Sequence, residues 1–171
     1  MDKSFRYISN HSSTSKYIYL SSLAVFAGGF IYILFRPTEP VFFSWFSAIG
    51  IENWLYSIRE KSISISSFLP QWIVYSLTNG LWAFAYTLIV LSIWTGSKSF
   101  LKYFWFLSIP VLVFGFEVLQ LTGEIQGTFC LNDIIWSAIG ITTGFITTRI
   151  ITSQNRYKIS QDNHTSDHIT H

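Results

Sequence analysis

The chain has 171 residues, half of them hydrophobic, 19% aromatic and only 12% charged, with a formal net charge of +2. Typical soluble domains carry about 25% charged residues, so this composition is that of a membrane-embedded chain forming one domain or one small helical bundle. Eleven basic residues make no basic patch, which excludes a nucleic-acid binder, and the single cysteine, Cys130, excludes an internal disulfide and a multi-cysteine zinc site.

Residues 1–16 are polar and predict a flexible tail. An apolar run from Tyr17 to Phe35 follows Lys3, Arg6 and Lys16. At 19 residues it exceeds a typical signal-peptide core, and it ends in Ile33-Leu-Phe-Arg-Pro without a small-residue cleavage pattern. It reads as an uncleaved transmembrane helix.

The segment from Val41 to Glu60 mixes aromatic residues with a few charges. Trp45, Ile49 and Glu52 follow one helical face, and Phe42, Phe46 and Asn53 a neighbouring one. Two short interfacial helices broken near Gly50 are expected, since Trp and Tyr suit the headgroup level. A lid packed on the bundle and a lipid-facing gate remain alternatives for this segment.

Three further spans are expected over 70–94, 102–122 and 130–150, each near the ~20 residues needed to cross a bilayer. No charge occurs between Lys61 and Lys98, which makes the second span the clearest. The fourth carries Asp133, Ser137 and four threonines, with Gly140 and Gly144 four apart. Small residues at that spacing let helix backbones approach closely, so close packing is the expected role of the glycines. Residues 153–171 read as a second flexible tail. Its His164, His168 and His171 lack a helix-forming context and are assigned to that tail rather than to a metal site. Cys130 reads as a small packing residue.

The expected fold is all-α: a four-transmembrane-helix bundle over 17–152 with an aromatic interfacial segment in the first outer loop. Basic residues set the orientation. Lys3, Arg6, Lys16, Lys98, Lys102, Arg149, Arg156 and Lys158 fall on one side if the spans alternate. Both termini are therefore expected in the cytoplasm.

The site is expected where acids meet hydrocarbon. Glu117 interrupts the third span, and an acid there costs roughly 2.5–3.5 kcal/mol on insertion scales unless it faces a partner or a watery cavity. Glu117, Gln120 and Glu124 are spaced by three and four residues, which places them on one helix face. Glu117 and Glu124 are then two turns apart, about 10 Å along the axis. A short turn from Gly123 to Asn132 would bring Asp133 back to the level of Gln120 and Glu117. Pro110 can bend the third span. Arg36 at the end of the first span, or Arg59 in the aromatic segment, is the expected counter-charge; otherwise Glu117 carries a proton. The acids could also serve only to hold helices together by hydrogen bonds.

The same residues resemble a known pattern. Phe116-Glu117-Val-Leu-Gln120, then Gly127-Thr-Phe-Cys-Leu-Asn-Asp133, then Ser137-Ala-Ile-Gly140 and Gly144 look like the signature of the VanZ-like integral membrane protein family. The segment from Leu69 to Trp82, containing Asn79-Gly80, is similar to that family's second span. The resemblance covers roughly residues 18–150. Many members carry an Arg near Gly127, an acid near Cys130 and an Asn where Ser137 stands; this chain departs at all three. Loss of that Arg makes Arg36 and Arg59 more relevant. The family is named after a protein associated with teicoplanin resistance, and membership implies a multi-pass protein of the bacterial cytoplasmic membrane and cell envelope, with no mechanism attached.

Three functions compete. The first is a binding protein that positions an envelope lipid or glycan precursor through an outward-facing polar pocket formed by Glu117, Gln120, Asp133, Glu124, Arg36 and Arg59. The second is a membrane-embedded enzyme with Glu117 as general base and Asp133 as orienter or metal ligand. All four histidines are in the tails, which removes Ser-His and Cys-His pairs from the spans. The third is a small proton-coupled transporter, for which four spans would require dimerisation. Binding ranks first, catalysis second. No cofactor is expected. The partners expected are the lipid bilayer, a lipid or cell-wall precursor and a second copy of the chain.

Overall fold

Within hydrocarbon every backbone N–H and C=O must be satisfied internally, which leaves the helix as the natural form for these apolar runs. The computed structural model describes residues 3–35, 48, 50, 52–66, 68–95, 97–125 and 129–169, and all regular elements among them are helical. They are α1 Lys3–Phe35, α2 Glu52–Ser66, α3 Gln71–Tyr75, α4 Leu77–Trp94, α5 Leu101–Leu121 and α6 Leu131–Ile169. Four stretches are long and apolar enough to cross a membrane: Thr14–Phe35, Leu77–Trp94, Leu101–Leu121 and Leu131–Tyr157. The four-span, all-α architecture read from the sequence is the architecture of the protein.

The boundaries differ in three places. Helix α1 begins at Lys3 and α6 runs on to Ile169, so the polar ends assigned to flexible tails are helical over 3–16 and 153–169. The physical reason is propagation. Neither 3–27 nor 145–169 contains Gly or Pro, and extending an existing helix adds one bond per residue fixed, without a new nucleus. The second span is divided at Ser76 into α3 and α4. The division is shallow, because the Ser76 N–H still donates to Trp72 O at 3.0 Å and the Gly80 N–H to Ser76 O at 3.2 Å. Pro70 stands just ahead of α3, where its missing N–H leaves no helical bond unmade. Of the aromatic segment, α2 forms the second half, preceded by Gly50 at φ 78°. Its first half, 41–47, and Arg36 lie outside the described residues.

Helix α4 is the hub. It packs most extensively on α6, then on α1, and only lightly on α5. The α4–α6 contact is made backbone to backbone. A Cβ on Gly140 would collide with the carbonyl oxygen of Gly80, and one on Gly80 would lie 2.7 Å from Trp136 O. One turn on, a Cβ on Gly144 would lie 2.9 Å from the Cβ of Thr87. The buried positions of α6 are Asp133, Ser137, Gly140, Gly144, Thr148 and Ile151, a stripe of mostly small residues with a period of three and four. Polar bonds reinforce the seam with α1. The Tyr17 hydroxyl donates to Thr148 O at 3.3 Å, and Thr78 Oγ1 donates to Gly28 O at 3.4 Å. Large apolar side chains instead face outward, among them Phe26 and Phe30 of α1 and Phe104, Val111 and Phe116 of α5. That is the pattern of helices whose solvent is lipid.

The seam makes a graded prediction. Gly140→Ala places a methyl against unyielding backbone and is expected to destabilise the protein by about 1–3 kcal/mol, the range for overpacking. A Cβ on Gly29 would meet nothing within 4 Å, so Gly29→Ala is expected to leave stability unchanged or slightly raised. Thermal unfolding of the two variants in detergent checks the contrast.

Candidate functional site

The third span ends by a defined device. Gly123 adopts φ 78°, its N–H donates to Gln120 O at 3.2 Å, and the Glu124 N–H donates to Leu119 O at 3.0 Å. This paired closure is the Schellman arrangement, and it needs a residue that tolerates the left-handed region. It stops α5 directly after Leu121, and α6 begins ten residues later at Leu131.

The hairpin is tied across its two helices by an acid. The Cys130 N–H, at the start of α6, donates to Glu117 Oε2 at 3.3 Å. Cys130 precedes the first residue of α6, so its N–H belongs to the amides that a helix start leaves without an internal partner. The carboxylate of Glu117 thus faces the positive end of the α6 dipole. Glu117 is only 6% exposed although its helix is the least buried of the four spans. Among the described residues it is one of two buried on α5, the other being Ile109.

Glu117, Gln120 and Asp133 line one cavity of about 430 Å³. Asn79, Tyr86 and Ser137 add polar groups, and Trp82, Ala83, Leu112, Val113 and Phe116 form the apolar wall. Three helices supply these residues: α4, α5 and α6. Asp133 is 7% exposed, and its Oδ1 has no hydrogen-bond partner among the described residues. Tyr86 is anchored by a 2.7 Å hydrogen bond between its hydroxyl and that of Ser108 on α5. Trp82 Nε1 donates to Val25 O on α1 at 3.4 Å, which orients that ring.

The other residues assigned to the pocket lie elsewhere. Glu124 is exposed in the turn after α5 and does not line the cavity. Arg59 is buried, but on α2, a helix that packs on α1 rather than on the cavity walls, so it does not line the cavity either. Arg36 is outside the described residues. The nearest compensation for Glu117 is therefore a backbone amide and a helix end, not the Arg59 guanidinium. Sequence reasoning passed over Asn79, Tyr86 and Ser137 as pocket groups. The signal for Asn79 was present: it is the one amide side chain of α4, on a helix without charge.

Among the described residues, no group of three or more His, Cys, Asp and Glu is arranged to hold a metal ion. Two buried carboxylates and a set of neutral polar groups can do something narrower. They accept hydrogen bonds from donors brought into the cavity. Comparison of the chain with protein-family models, with curated proteins and with solved structures gives no match.

The Glu117–Cys130 bond separates two substitutions. In Glu117→Gln the amide oxygen can still accept the Cys130 N–H, and the hairpin is expected to hold. Glu117→Ala strands that N–H and is expected to cost about 1–3 kcal/mol. Unfolding of both variants in detergent reads the difference, and equal tolerance would show that Glu117 does not tie the hairpin.

Proposed function

We propose that this chain is a VanZ-like multi-pass protein of the bacterial cytoplasmic membrane that binds or positions an envelope lipid or glycan precursor in the cavity between α4, α5 and α6. The observation that carries the reading is Asp133. Its carboxylate is buried, lines the cavity and leaves Oδ1 without a partner among the described residues. A buried acceptor in that state costs free energy, and a ligand that donates to it recovers that cost.

The chemistry of the walls narrows the ligand. Carboxyl oxygens accept hydrogen bonds from hydroxyl and ammonium groups. Glu117 and Asp133 therefore favour a ligand that presents hydroxyl or ammonium donors. The recognised part is a sugar, polyol or amino headgroup. Gln120, Asn79 and Ser137 can both donate and accept, as polyol recognition requires. Phe116 and Leu112 offer an apolar edge for an acyl or isoprenoid chain. Glu117 lies four residues before the end of α5, about 6 Å along the axis, a depth that a headgroup reaches from the interface.

Lipid retained by the full-length protein in mild detergent, identified by native mass spectrometry, tests this. The expected lipid carries hydroxyl or amine donors in its headgroup. Asp133→Asn is expected to weaken its retention about tenfold, the loss of one charge-assisted bond. Equal retention by both proteins would overturn the reading, and a chemically converted lipid would replace it with catalysis.

The orientation is tested separately. Reporter fusions after residues 98 and 155 are expected to read cytoplasmic, and one near residue 125 external. The reverse pattern would move the cavity to the inner leaflet.

A further inference from the structure

The opposite end of the bundle holds a second cavity, of about 500 Å³, whose chemistry has the opposite sign. Its cations are Lys102, from the first turn of α5, and Arg149 and Arg156, from α6. Among the described residues, no acidic side chain lines it. Arg149, Thr152 and Arg156 are spaced by three and four residues, so they share one face of α6. The two guanidinium-bearing positions are two turns apart, about 10 Å along the axis.

A second observation points to a ligand. Thr148 lines the same cavity and is 5% exposed, yet its Oγ1 has no hydrogen-bond partner among the described residues. The wall behind it is built rather than incidental. The Tyr17 hydroxyl of α1 holds the Thr148 carbonyl at 3.3 Å and the Thr152 hydroxyl at 3.2 Å, fixing this stretch of α6 against its neighbour. Leu91, Trp94, Phe106 and Phe145 supply an apolar wall, and Thr95 and Ser153 add hydroxyls.

We propose that this cavity binds the phosphate of an anionic membrane lipid, with Arg149, Arg156 and Lys102 around the phosphate, Thr148 donating to it and the acyl chains lying along the apolar wall. Charge selects the phosphate: guanidinium groups offer paired donors to phosphate oxygens, and Lys adds a point charge. Depth selects a lipid over a free ion. The apolar stretch of α6 runs 27 residues to Tyr157, about 40 Å at 1.5 Å per residue, against roughly 30 Å of hydrocarbon. Arg156, near the end of that stretch, therefore reaches headgroup level, where the phosphates of the leaflet lie, and Arg149, two turns earlier, extends its long side chain toward the same level. Basic pockets between helices at this level are a general means of holding lipid headgroups. The site is independent of the acidic cavity and stands whether or not that cavity binds a glycan.

The test uses the full-length protein in detergent, titrated with phosphatidylglycerol, phosphatidylcholine and inorganic phosphate, with binding read by native mass spectrometry and by thermal shift. Phosphatidylglycerol is expected to bind at least tenfold tighter than phosphatidylcholine. Arg149→Gln combined with Arg156→Gln is expected to abolish that preference, and Lys98→Gln, an exposed cation at the same membrane face that does not line the cavity, to leave it intact. Arg149→Lys combined with Arg156→Lys keeps the charge and is expected to retain part of the preference, which guards against a glutamine variant that does not fold. Equal binding of the two lipids, or equal loss with Lys98→Gln, would overturn the proposal. Displacement of phosphatidylglycerol by millimolar inorganic phosphate would also overturn it, by making the site one for a free anion.

Discussion

Everything in this bundle depends on how closely α4 and α6 approach. In a bilayer the hydrophobic effect does not draw helices together, because lipid tails are as apolar as leucine. Close backbone contact has to supply the association, and it is available only where side chains are missing. Gly80 against Gly140, with Gly144 against Thr87, provides that contact. Hydroxyls add to it without demanding partners across the interface: Thr87 Oγ1 donates to Ala83 O of its own helix at 2.8 Å. The tight seam fixes the register of α6, and the register decides that Asp133 and Ser137 at one end, and Thr148 at the other, point inward.

From that register the two cavities follow as a polarity written along one helix. Helix α6 presents acid at its start and base near the end of its membrane-spanning stretch. Between them the buried positions are the glycines, which close the seam with α4. The arrangement gives two separate sites at opposite ends of the bundle rather than one path through it.

Much of this was legible in the sequence, for identifiable reasons. Four apolar runs of near-membrane length gave the spans, because span length is set by bilayer thickness and not by tertiary detail. The glycine spacing of α6 pointed to close packing, since few other causes put glycines four apart on an apolar helix. The three-residue core of the acidic cavity, Glu117, Gln120 and Asp133, followed from helical spacing plus a short turn. The rest was hidden in contacts between distant segments. Nothing local says that α2 packs on α1, so the place of Arg59 could not be read from its charge. Nor does an isolated run of Lys and Arg reveal a cavity: Arg149 and Arg156 look like ordinary flanking charges until Lys102 is brought across from α5. The polar ends look like tails by composition, but without glycine or proline nothing stops the helices from propagating through them.

Helix α5 is attached in an unusual way. It is pinned near its middle by the fully buried Ile109 and the Ser108–Tyr86 hydroxyl pair, and again at Glu117 by the Cys130 amide. One arm, with Lys102 and Phe106, walls the basic cavity; the other, with Glu117 and Gln120, walls the acidic one. The helix is therefore held at two points, with the Lys102 arm extending beyond the first. Pro110 sits beside the first attachment and has no N–H to give the Phe106 carbonyl, so the helix lacks one backbone bond there. Bending at Pro110 costs less than elsewhere along the helix, so the end of α5 that walls one cavity is not rigidly coupled to the end that walls the other.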